Sequence, residues 1–234
     1  LATTQVVGRD RYVEYVSWLA NVATSCEKIL QEVRNLQRSE LSEAGEGFDV
    51  KKQVGSSTMA HKKNPIKSEN ASGLARIVRS FIIPTYENAL LWHERDLANS
   101  SSERFTLSHG SALCEDVLAK TRQVLTNMWV DAERCMENIR AQRGLVMAEK
   151  VMIDLVERGI PRDEAHEILR EASFTAVANK EELIDVCSRT PAISAAFSAE
   201  ELEAMFEPSN HIGVSGEIVD EAVALARAAI QTTE

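Results

Sequence analysis

With 234 residues, 44% of them hydrophobic, and only 10 Gly and 5 Pro, the chain can bury a substantial core and carries too little turn chemistry for a strand-rich fold. Its 26 Lys and Arg against 36 Asp and Glu leave a net charge of −10, which argues against nucleic acid or an anionic membrane surface as the main partner, since both demand a basic face. No apolar run is long enough to span a bilayer, and the start lacks the order of a signal peptide.

Chain order then reads as helix after helix. From Arg9 to Arg38 no Pro interrupts, and Tyr12, Tyr15, Leu19, Val22, Cys26, Ile29, Val33 and Leu36 recur at steps of three and four, the spacing of a long helix packed along a seam. Residues 39–67 lose that period and read as one long polar loop, a type of connection that is usually functional or disordered when it lies inside a compact domain. Helical pattern resumes near Ser68 with Leu74, Ile77, Val78, Phe81, Ile82, Tyr86 and Leu90 on one face, and Pro84 is expected to kink it. "WHERDLANSSSERF" interrupts next. A third long helix is expected from about Ser101 to Trp129, with Leu113, Val117, Leu118, Val124, Leu125 and Met128 inward.

Beyond about Ile139 the units shorten. Gly159 ends one helical stretch as a C′ residue, Pro161 and the acids after it open another, and Ser198 with Glu201 has capping-box spacing. "SGEIVDEAVALARAAI" supplies a last amphipathic helix. The expected fold is therefore all-α: a long-helix bundle domain over 1–139 and a small all-helical domain over 140–234.

The loop holds the most unusual chemistry. Residues 51–67 carry Lys51, Lys52, Lys62, Lys63 and Lys67 and no carboxylate, so an acidic chain builds a local positive patch around "VGSSTMAHKKNP", residues 54–65. A small anion suits such a patch, and on composition alone a solvated surface loop fits equally well. A P-loop requires a Gly before its Lys, where this chain has His61, and no G-x-S-x-G elbow occurs. The five histidines, at 61, 93, 109, 166 and 211, are too scattered for a metal site. The four cysteines, at 26, 114, 135 and 187, form no C-x-x-C pair, and a reducing cytoplasm is the expected location. A serine between glycine and small residues can serve as nucleophile or base once ammonium groups and backbone N–H donors stabilise its alkoxide.

"GSSTMAHKKNP" resembles the G-S-S-x-M-x-x-K-x-N-P signature loop of the fumarase/aspartase superfamily, whose members cleave C–N or C–O bonds by β-elimination and release fumarate. Within it, "TTQVVGRDRYVEY", "WHERDLANSSSERF", "AEKVMIDLVERGIPRDEAHEILREA" and "LEAMFEPSNHIG" are similar to the adenylosuccinate lyase family, a likeness that covers essentially the whole chain. The resemblance implies a homotetramer whose active sites are shared between chains, a small anionic nucleotide substrate, and neither metal nor organic cofactor. It implies Ser56 as the base, Lys62 and Asn64 as holders of the developing carboxylate dianion, and Gln5, Arg95, Ser100 and Arg104 as contacts to the nucleotide.

Ala60 stands where the loop commonly has Pro, and Asn70 where some relatives carry Arg, so no contact is assigned to Asn70. None of the histidines matches the family's general acid. That group belongs to an N-terminal portion with no counterpart here, and the chain, which opens on Leu1, is expected to be the C-terminal part of a longer protein. Two other expectations stand beside this one: a sibling lyase of the argininosuccinate lyase or carboxymuconate cycloisomerase type, and an inactive assembly module.

Overall fold

The structure is a computed structural model that describes residues 6–47, 63–93 and 95–231. It divides into two compact units, Leu1–Cys135 and Met136–Glu234. Among the described residues it is all-α apart from two strands of two residues each.

The first unit is built on α1 (Asp10–Leu36), α2 (Ile66–Ser80), α3 (Ile82–Glu87), α4 (Ala98–Thr106) and α5 (Ser108–Asn127). Strands β1 (Ala44–Gly45) and β2 (Trp129–Val130) pair antiparallel, Ala44 opposite Val130 and Gly45 opposite Trp129. α1, α2 and α5 pack on one another through Leu19, Ala23, Cys26, Ala75, Val78, Cys114 and Val117, with a second cluster at Leu30, Val33, Ala71 and Val124.

The buried stripe of α1 is Val16, Leu19, Ala20, Ala23, Cys26, Leu30 and Val33, not the expected seam. Of the eight seam residues only Leu19, Cys26 and Val33 are buried, while Tyr12, Tyr15 and Ile29 are exposed. Small side chains let the helix axes approach closely, so alanines rather than aromatics mark the internal contact. The same holds on α2, where Ser68, Ala71, Ser72 and Ala75 are buried and Ile77 faces solvent.

The expected kink lies three residues before Pro84. The proline ring crowds the carbonyl four residues back, that of Ser80, and α2 ends there. Phe81 is the junction, and its carbonyl accepts from both the amide (3.2 Å) and the hydroxyl (2.6 Å) of Thr85. The third helix is likewise two, meeting at Leu107, where the hydroxyls of Ser108 and Ser111 turn back onto the carbonyls of Arg104 and Leu107.

Helix α6 (Ala132–Arg140) spans the division between the units. The second unit continues with α7 (Ala148–Glu157), α8 (Arg162–Asn179), α9 (Leu183–Arg189), α10 (Pro191–Ala196), α11 (Ala199–Phe206) and α12 (Ser215–Gln231). Its core gathers Val151, Leu155, Leu169, Leu183, Val186, Ile193, Phe197 and Leu202. Gly159 ends α7 with φ +94°, and the next amide, Ile160, closes back on the Leu155 carbonyl at 3.1 Å. Ser198 and Glu201 form the complete capping box of α11. Every described residue of α12 is exposed.

Candidate functional site

Three expected site residues meet in one cavity of about 380 Å³, lined by Arg9, Arg95, Asp96, Leu97, Asn99, Ser100, Glu103, Arg104 and Leu107. Ser100 and Arg104 sit four residues apart on α4, hence on one face. Arg95 precedes that helix. Asp96 fixes the turn between them: its carboxylate accepts from the amides of Ala98 (2.8 Å) and Trp92 (3.0 Å), and those N–H donors, Ala98 first, hold its pKa below the usual value.

The charges of the cavity separate into a paired and an unpaired set. Glu103 is engaged by Arg9 Nε at 2.9 Å and by Asn99 Nδ2 at 2.9 Å on the same oxygen. Among the described residues Arg95 and Arg104 form no ion pair. Two guanidinium groups free to fork onto an anion, with a hydroxyl beside them, make a ready phosphate-binding arrangement. Arg9 was not singled out in the sequence, because its partner lies 94 residues away.

Asn64 lies elsewhere. It lines a second cavity, of about 540 Å³, with Lys63, Pro65 and Glu69 on one side and Gln31, Arg34, Asn35, Gln37, Arg38 and Ser39 on the other. Glu69 puts a carboxylate among these cations, and no sequence signal beyond its place one turn into α2 marked it. Ser56, Gln5 and Lys62, as well as His61, fall outside the described residues.

The two cavities share no lining residue. One meets α1 just before its first residue, at Arg9, and the other meets its last turn. The 27 residues of α1 place those ends about 40 Å apart, farther than a nucleotide reaches. Among the described residues no cluster of His, Cys, Asp and Glu could hold a metal ion.

Two family profiles match: "Lyase" over residues 2–80 and "Adenylosuccinate lyase C-terminus" over 144–222. The adenylosuccinate lyase of Archaeoglobus fulgidus is 44% identical across 95% of this chain, and that of Methanothermobacter thermautotrophicus 42% identical across 94%, these stretches being 50% and 49% of the relatives' own lengths. The chain thus spans about half the length of the curated relatives it matches. Among solved structures, a 3-carboxy-cis,cis-muconate lactonizing enzyme from Pseudomonas putida superimposes with TM-score 0.83 at 32% identity, covering 93% of this chain and 47% of that one. A fumarate lyase from a Mesorhizobium species does so with TM-score 0.82 at 27% identity and the same coverage.

Proposed function

Because the chain belongs to the adenylosuccinate lyase family of the fumarase/aspartase superfamily, we propose that its protein eliminates fumarate from adenylosuccinate to leave AMP, and from succinyl-aminoimidazole-carboxamide ribotide to leave the carboxamide, two steps of purine biosynthesis.

The elimination needs a base, a holder for the developing charge and a grip on the nucleotide. The Ser56 alkoxide removes the proton from the carbon β to the leaving nitrogen, and the electron pair spreads into the adjoining carboxylate. Lys62 and Asn64 hold the resulting dianion, a cation and an amide donor placed where charge grows. The pair then returns to expel the nitrogen, which takes its proton from an acid beyond these residues. Arg95, Ser100 and Arg104, with Gln5, bind the nucleotide, and the observation that carries this assignment is the pair of guanidinium groups beside Ser100 that form no ion pair among the described residues. The substrates of the sibling argininosuccinate and carboxymuconate enzymes carry no phosphate and would leave these cations unused.

A substrate bound at once by Asn64 and by Arg104 cannot be served by one chain when their cavities meet opposite ends of α1, a helix about 40 Å long. This separation supports sites completed between subunits, as in the homotetramer that the family resemblance implies. Tyr12, Tyr15 and Trp18 on α1, Ile77 on α2, and Leu118 and Leu125 on α5 expose the apolar surface that such association would cover. The four free cysteines, three of them buried, fit a cytoplasmic protein, and among the described residues no helix is long and apolar enough to cross a membrane.

The deciding assay, run with the full-length protein, follows fumarate release from adenylosuccinate and from argininosuccinate and, in parallel, lactone formation from carboxymuconate. Turnover of adenylosuccinate is expected. Turnover of either other substrate alone would transfer the protein to a sibling lyase, and a folded, inactive oligomer would make it an assembly module. The 234-residue chain by itself is expected to be inactive and to gain activity when mixed with a separately made N-terminal portion.

A further inference from the structure

Ser56 and Lys62 lie between Gly47 and Lys63 in the sequence. The residues on the two sides of this segment are bonded to each other by a small set of side chains. Glu46 is 4% exposed, and its carboxylate reaches across to the first turn of α2: Oε1 accepts from the Lys67 amide at 3.2 Å, and Oε2 from the Ser68 amide at 3.0 Å and the Ser68 hydroxyl at 2.9 Å. The Glu46 amide in turn donates to Gln37 Oε1 at 2.8 Å, and Gln37 Nε2 donates to the Lys63 carbonyl at 2.8 Å. One amide side chain thus grips the residues before and after the segment with its two ends, and one carboxylate does the same with its backbone and side chain.

The surroundings leave this clasp little room to shift. A Cβ on Gly45 would lie 2.8 Å from Gln37 Cγ and 2.7 Å from Trp129 Cζ2, so the absence of a side chain there is what admits Gln37. A Cβ on Gly47 would fall 2.1 Å from the Asn127 carbonyl oxygen, which presses the departing backbone against the end of α5. The β1–β2 pairing anchors the same stretch to residues 129–130.

We propose that Gln37 and Glu46 are positioning residues for the elimination, acting by fixing where the 48–62 segment begins and ends relative to α1 and α2. The inference rests on the reading of 54–65 as the loop that supplies the base. Neither residue touches substrate. Their effect is on the precision with which the base meets the β-proton, where misplacement of about 1 Å costs about 100-fold in rate.

The test compares Gln37→Glu and Glu46→Gln in the full-length protein. Gln37→Glu keeps the acceptor for the Glu46 amide and replaces the donor to the Lys63 carbonyl by an oxygen that repels it. Its kcat is expected to fall about 10- to 100-fold, with KM and the thermal midpoint nearly unchanged, a split that a purely structural role would not produce. A kcat within about twofold of the unmodified protein's would overturn the proposal. If Glu46→Gln does not fold, Gln37→Glu, a near-isosteric change at a half-exposed side chain, carries the test alone. If the unmodified protein releases no fumarate, the functional reading fails, and amide exchange decides the clasp by itself. Faster exchange at Lys67 and Ser68 in Gln37→Glu supports coupling between the two side chains, and unaltered exchange refutes it.

Discussion

Arg9 and Glu103 form a salt bridge of 2.9 Å that ties the entry of α1 to α4, and both side chains are largely buried, at 16% and 15% exposure. Because Asn99 donates to the same carboxylate oxygen, removing the acid orphans two donors at once. Glu103→Ala is expected to lower stability by about 1.5–3 kcal/mol, read as a lower denaturant midpoint at constant slope. It is also expected to raise KM for the nucleotide, since Arg104 follows on the same turn.

Arg95 and Arg104 are expected to act on binding rather than on the bond-breaking step. Loss of one charge-assisted contact to phosphate, worth about 1.5–3 kcal/mol, corresponds to a KM raised about 10- to 100-fold in Arg95→Ala or Arg104→Ala with little change in kcat. Initial rates against adenylosuccinate measure this, and an unchanged KM in both variants would remove the phosphate assignment.

Two glycines of the second unit differ in what an added methyl group would meet. Gly159, at φ +94°, has open space around it, so Gly159→Ala is expected to cost only the conformational penalty of about 1–2 kcal/mol. At Gly144, with φ +75°, a Cβ would lie 2.8 Å from Phe206 Cε1. Gly144→Ala therefore adds an overpacking cost of about 1–3 kcal/mol, and paired chemical denaturation curves should rank the two variants in that order.

Thiol labelling gives a check on burial in the native chain. Burial pushes the Cys187 thiol up to about 11, so at pH 8 only about one molecule in a thousand carries the thiolate that reacts. Cys135, which is only half-buried, is expected to react first with a thiol reagent, and Cys187 only on unfolding. Mass mapping of the early adduct to Cys187 would contradict the packing of this core.

Local chemistry was legible in the sequence and side-chain partnership was not. Gly159, Pro161 and the Ser198–Glu201 box act within a turn of themselves, so their spacing alone located helix ends in the second unit. The seam of α1 misled because the helix carries two apolar faces: alanines pack inside the unit, while Tyr12, Tyr15 and Trp18 point outward, and hydrophobicity weights the larger residues.

In the candidate site, Arg95, Ser100 and Arg104 were found through resemblance, and α4 gathers them into one cavity. Arg9 and Glu46 escaped notice for a physical reason. A cation that matters because of a carboxylate 94 positions away, or a lone Glu whose partners begin 21 residues later, has no periodicity to betray it.

The packing of α5 against both α1 and α2 also has a kinetic consequence. Cys114 Sγ reaches the Leu19 carbonyl, 95 residues earlier, at 3.5 Å, and the β1–β2 pair closes a comparable span. The first unit can assemble only after so long a stretch of chain has found its own beginning, an entropic toll that slows the search. The second unit joins helices that follow one another directly, α7 to α8 and α8 to α9. On dilution from denaturant its far-UV signal should return in a fast phase, leaving the half that bears the cavities to form late.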